Sequence, residues 1–195
     1  MIWKQYVPPD LQELYEIHDF KHAAAILSNE FPNEFRQLCE SLREFRLTMK
    51  DVMEGGGNKS QIPKKFSKIL IPKDWKEDKL EAKVTVDVRE IKHETHKVDY
   101  IKNRVAFDLE WNSKDQTFDR DLYAFRAFFD YDRISVGVIV TRSDELNPWF
   151  KELGIMHKYG ASTTHMGKLL PRLEAGRNGG CPVLVFGIKQ KLIKQ

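Results

Sequence analysis

The sequence predicts an α/β domain in which strands are covered by helices, and three observations carry that expectation. From Val105 to Asn112 the residues alternate, Val105, Phe107, Leu109 and Trp111 on one side and Ala106, Asp108, Glu110 and Asn112 on the other. That is the period of a strand with one face in a core. Phe118, Leu122, Phe125 and Phe129 then make one face of a helix over Thr117–Asp130, and the apolar run Ile134–Val140 reads as a buried strand. Strand, helix and strand in that order imply a crossover onto a sheet.

With 195 residues, 41% hydrophobic and 31% charged, the chain has the size and make-up of one domain over 1–195, with residues 1–80 mainly helical and 81–195 carrying the sheet. No apolar run approaches the length of a membrane span, and MIWKQYVPPD has neither the apolar stretch nor the cleavage site of a signal peptide. Cys39 and Cys181 suggest no disulfide framework, so a cytoplasmic protein is expected. Net charge is only +3, but Lys151–Gln195 holds eight Lys/Arg against two acids, and Lys59–Lys79 seven Lys against three. Either segment could face phosphates or simply be solvated.

Taken in order, Leu11–Phe20 is ambiguous between helix and strand, and Lys21–Ser28 is helical by composition. Pro32 opens an amphipathic helix over Asn33–Val52 with Phe35, Leu38, Leu42, Phe45 and Met49 on one face. Gly55–Ser60 superficially suggests a phosphate-binding loop, but Asn58 stands where the glycine before the lysine is required, so a mobile loop is expected. Phe66–Ile71 reads as a short helix stopped at Pro72. Val84, Val86 and Val88 signal a strand from Lys83 toward Ile91 and His93. His93 and His96 have no cysteines or second histidine pair at zinc-ligand spacing and read as surface or hydrogen-bonded residues.

Lys97–Ile101 is a strand, and the polar run Lys102-Asn103-Arg104 can turn the chain so that Asp99 returns beside Asp108. Asp144–Leu153 is another short helix, and Tyr159–His165 leads into a helix through Leu173 with hydroxyls where a cap is needed. Pro182–Ile188 is a last buried strand, followed by a basic tail from Lys189 to Gln195.

The acids carry the chemistry. Asp108 and Glu110 share one strand face roughly 6.6 Å apart along the chain, and Asp99 makes a third carboxylate beside them. Mg²⁺ takes oxygen ligands, one or two of them carboxylates, and completes its octahedron with water and phosphate oxygens. An alternating strand also presents acids simply as the wet side of a half-buried sheet, and the residues alone leave both readings open.

Two blocks of the chain resemble the BglII, BstYI and BamHI group of type II restriction endonucleases, within the PD-(D/E)xK nuclease superfamily. One runs from DYIKNRVAFDLEW to DRISVGVIV, the other from YGASTTHMGKLL through RLEAGRNGG to PVLVFGI; upstream, IPKDWKED and YEIHDFKHA match. The resemblance implies a restriction-endonuclease-like core with a mixed central sheet flanked by helices. It makes Asp99 and Asp108 the metal ligands for Mg²⁺ and puts Glu110 where most of the superfamily has lysine; BamHI likewise has an acid there, BglII and BstYI an amide. A fourth polar residue follows the family's tryptophan, for which Asp78 matches best and Glu77 is the rival. The implied activity is Mg²⁺-dependent hydrolysis of a short palindromic site in double-stranded DNA, leaving 5′-phosphates.

Cutting both strands with one site per chain most simply needs a homodimer. Asn112, Ser113 and Lys114, just after the acid strand, and Ser162, Thr163, Thr164, His165 and Arg177, at and beyond a helix start, are the candidate DNA-binding residues. The rivals are a DNA- or partner-binding module whose acids are structural, and a monomeric nicking or repair nuclease.

Overall fold

The computed structural model describes residues 2–54 and 61–194, with the side chains of 81–86, 89 and 91–96 outside that description. The Gly55–Ser60 loop and the imidazoles of His93 and His96 therefore lie outside the described residues.

The ambiguous N-terminal stretch divides into helix α1 (Pro9–Leu14) and strand β1 (Tyr15–Phe20). Pro9 sits in the first helical turn, where its missing N–H would have no partner anyway. After α2 (Ala23–Glu30), α3 (Pro32–Glu44) ends well short of the helix expected over 33–52. Arg46 donates to the carbonyls of Arg43 and Phe45 at 2.5 and 2.6 Å, closing the helix end. A two-residue strand β2 (Leu47–Thr48) leads into α4 (Met49–Met53). The break has a local cause: the Thr48 hydroxyl accepts from Asp51 N while the Asp51 carboxylate accepts from Thr48 N, a reciprocal cap that starts a new helix. α5 (Gln61–Leu70) buries Ile62, Phe66 and Leu70 and begins earlier than expected.

β3 (Lys76–Val86) and β4 (Arg89–Lys102) form a long hairpin in place of the single strand expected through Val88. The chain reverses at Asp87 and Val88, with Asp87 at φ 54° and Val88 98% exposed. The valine alternation simply runs through the turn. β5 (Val105–Glu110) returns as expected, with Asn103 at φ 50° in the connecting turn. Then come α6 (Thr117–Asp130), β6 (Val136–Arg142), α7 (Leu146–Glu152), α8 (Met166–Glu174) and β7 (Val183–Ile188). The segment after β7 is not a free tail: Leu192 and Ile193 are buried, and β8 (Ile193–Lys194) pairs in parallel with β2.

The main sheet has the order β1-β7-β6-β5-β4-β3. β5–β6 and β6–β7 are parallel and the other pairs antiparallel, so the sheet is mixed. β1 belongs to the mainly helical N-terminal stretch, yet it forms one edge of this sheet. Val105, Phe107 and Leu109 face a core shared with α2, α3 and α5, while Ala106 faces a second core under α6 and α8. Gly137 lets α6 approach this closely, because a Cβ there would lie 2.3 Å from the Phe125 ring. β5 is thus covered on both sides, which removes the reading of Asp108 as the wet side of a half-buried strand: Asp108 is only 3% exposed. Among the described residues no helix is long and apolar enough to cross a membrane.

Candidate active site

β4 and β5 pair only from Tyr100–Phe107 to Lys102–Val105. Beyond that point side chains replace the ladder, for Asp99 N donates to Asp108 Oδ1 at 2.7 Å and Leu109 N donates to Asp99 Oδ2 at 3.2 Å. The two strands fork around the two carboxylates. On the other edge of β4 the register shifts between Lys76–Ile101 and Asp78–Val98. Asp99 and Tyr100 therefore oppose Glu77 together, a bulge of the kind that re-aims a side chain.

Glu110 joins this pair from β5, and α6 adds a fourth carboxylate, Asp121, 7% exposed. Burial first, then the Asp99 charge, raises Asp108 well above the ordinary carboxylate range. Burial likewise raises Glu110 to about 7 against a hydrogen bond from Ser113, and raises Asp121 well above its usual value, helped by the charges of Asp108, Glu110 and Asp99. Asp99 reaches solvent at the rim of the fork but is still shifted upward, mainly by desolvation and then by Glu77. Asp108 Oδ2, Glu110 Oε2 and Asp121 Oδ2 are buried without a hydrogen-bond partner. Such orphaned acceptors are costly in a folded protein and call for an explanation at each site.

Asp121 was missed in the sequence. Its signal was an acid on the apolar face of its helix, three residues after Phe118 and four before Phe125.

Asp78 does not join the group. Its carboxylate accepts from Arg133 at 3.0 Å and from its neighbour Lys79 N at 2.9 Å. Glu77, the rival, faces Asp99 electrostatically and shares with it a cavity lined also by Ser67, Trp75, Tyr100 and Leu109, while its other side meets Lys97 at 2.8 Å.

The fit to a divalent cation rests on those orphaned oxygens. The donor set is oxygen only, which suits a hard cation, and Mg²⁺ needs no more than one or two carboxylates. Among the described residues no three acids, histidines or cysteines are already gathered into a cage. One oxygen each of Asp99 and Asp108 is held by the other strand's backbone, which leaves Asp108 Oδ2 and Glu110 Oε2 open.

Candidate residues of two loops, 112–114 directly after β5 and 162–164 before α8, are hydrogen-bonded to one another. Asn112, at φ 59°, donates from Nδ2 to Lys158 O at 3.0 Å. Ser113 N donates to Thr164 Oγ1 at 3.1 Å, Thr164 N donates to Ser113 O at 2.9 Å, and Asp115 N donates to Ser162 O at 2.9 Å. Lys114 and Ser162 are exposed, whereas the Thr163 and Thr164 hydroxyls point inward. The expected hydroxyl cap is absent, since the N-cap of α8 is His165 and makes no side-chain cap bond. Its ring lies 2.5 Å from Asp144 and burial lowers its pKa. Arg177 pairs with Asp119, which also meets Arg172 at 3.0 Å.

A mixed six-stranded sheet flanked by helices, forking at a pair of aspartates of which Asp108 is buried and Asp99 lies at the rim, belongs to the restriction-endonuclease-like class of α/β proteins. Within that class the family model of restriction endonuclease BglII/BglIII matches residues 15–188, so the chain belongs to that family of site-specific DNA-cleaving hydrolases. Among curated proteins none matches it.

Proposed function

We propose that the protein is a Mg²⁺-dependent type II restriction endonuclease that cuts both strands of a short palindromic DNA site as a homodimer and leaves 5′-phosphates. The observation that carries this reading is the fork of β4 and β5, where Asp108 and Glu110 keep buried, unpartnered oxygens on a strand otherwise packed on both sides. Asp99 and Asp108 would hold the cation, which when bound polarises the scissile phosphate and acidifies water. Glu110, raised to about 7 with Ser113 beside it, would accept a proton from the attacking water near neutral pH. Glu77 takes the outer role first assigned to Asp78, because Asp78 is held by Arg133. Lys114 and Ser162, exposed on the loops that follow β5 and precede α8, would read base edges, with Asn112, Ser113, Thr163, Thr164 and His165 in the same loops.

Incubation of supercoiled plasmid with the protein and Mg²⁺ tests this. Discrete linear bands are expected. Open circles alone would indicate a monomeric nickase, and intact plasmid would contradict the reading. Sedimentation with and without a cut-site duplex checks the dimer; a 1:1 complex that still breaks both strands would defeat it.

A further inference from the structure

Arg142, the last residue of β6, is fully buried and has no carboxylate partner among the described residues. Nε donates to Thr164 O at 3.1 Å, Nη1 to Asn147 Oδ1 at 2.9 Å, and Nη2 to Thr163 Oγ1 at 2.7 Å and Tyr159 O at 3.4 Å. The guanidinium also lies 5.3 Å from the centre of the Tyr159 ring. A buried charge with no direct ion pair, and only the Asp144 charge acting on it from nearby, is costly to keep. Three of its four acceptors come from one loop, 159–164, the same loop that is bonded to 113–115. Thr141, the residue before it, pairs with Glu110 across the parallel ladder, and Ser113 follows Glu110 by three residues, near enough to hold its carboxyl's pKa down.

We infer that Arg142 is a positioning residue that ties the DNA-reading loops to the catalytic strand, so that a base pair which displaces the loops also displaces Ser113 from Glu110. Discrimination between sites then depends on a residue that never touches DNA. This rests on the function proposed above, and it adds the means by which reading a site is made to bear on Glu110.

The test compares wild type with Arg142→Lys, which keeps the charge but cannot make the forked set of bonds. Two readouts are needed. Amide hydrogen exchange without DNA should speed up in 112–115 and 158–165 while β5, β6 and β7 stay protected. Cleavage of the preferred site over single-base variants should lose at least about tenfold in discrimination, the order of one direct base contact, through faster relative cutting of the variants. A purely structural role would instead loosen β5 to β7 as well and lower all cleavage in proportion. That result, or unchanged exchange in the loops, or unchanged discrimination, would overturn the inference. Thr163→Val removes one bond of the set and leaves the cation, and carries both expectations at smaller amplitude if Arg142→Lys does not fold. If wild type cuts no DNA, the function proposed above fails, while the exchange arm still decides whether Arg142 holds the loops.

Discussion

Asp108 and Arg142 are ionisable groups buried on neighbouring strands, and their surroundings are opposite. Arg142 is 0% and Asp108 3% exposed. Around Arg142 every nitrogen has an acceptor, and burial lowers its pKa only to about 10. Around Asp108 one oxygen is bonded to Asp99 N, the other has no partner, and three more carboxylates crowd in. A satisfied buried charge stiffens what it touches. An unsatisfied acid among other acids calls for a ligand to complete it, so the first environment suits the brace and the second the cation site proposed above.

The largest expected effect falls on the second environment. Asp108→Asn should reduce Mg²⁺-dependent cleavage by about a thousandfold or more, the scale of losing a group that acts on transition-state charge. Specific DNA binding should be kept, because Asp108 lies buried behind the DNA-facing surface and the isosteric amide adds neither bulk nor charge. Parallel gel-shift and cleavage assays check both, and loss of binding together with cleavage would mean that Asp108 supports the fold instead.

Glu110 gives the contrast a pH signature. Its folded pKa, about 7, lies above the ordinary 4.5, so the folded state binds the proton more tightly. The stability this contributes is complete below about pH 4.5 and is lost as pH rises through about 7, up to about 3 kcal/mol. Thermal unfolding of wild type against Glu110→Gln between about pH 5 and 8 should therefore show wild type losing ground as pH rises. His165, held below its ordinary value by burial, titrates in the opposite sense in both proteins and cancels in the difference. Parallel pH profiles would remove the acid from the site.

Arg142→Met should destabilise by about 2 kcal/mol, the cost of leaving buried acceptors unpaired, whereas Asp108→Asn should leave the metal-free protein as stable or more so. Chemical denaturation of the two variants checks this, and equal destabilisation would erase the distinction drawn between the two environments. The smallest effect belongs to the exposed edge of the reading loops. Lys114→Ala should cost about 1 kcal/mol of binding to the preferred site and less on unrelated DNA; equal loss on both would make it a phosphate contact.

How much of this was legible in the sequence follows from how local each signal is. The acid strand, its turn at Asn103 and the helix over 117–130 came directly from periodicity, because packing and pattern agree there. The break after Glu44 was hidden because Phe45 and Met49 continue the helical spacing, although the Thr48–Asp51 cap was readable in principle. The reversal at Asp87 was hidden by valines on both sides of it. Asp121 and Arg142 were overlooked as sites because each belongs to an element named for its apolar residues, and only tertiary packing brings them beside Glu110 and the loops. The proposal of Glu77 over Asp78 was beyond the sequence, since it depends on a bulge in β4 and on Arg133 arriving from 55 residues away.

The claim that the forked acids form a cation site is tested most directly by calorimetric titration of Mg²⁺ into DNA-free protein at about pH 7, in two buffers of different ionisation heat. Cation binding must drive protons off the raised carboxylates. Wild type should bind Mg²⁺ with a heat that depends on the buffer, and Asp108→Asn should show neither the binding nor the proton release. Identical titrations for the two proteins would contradict the account.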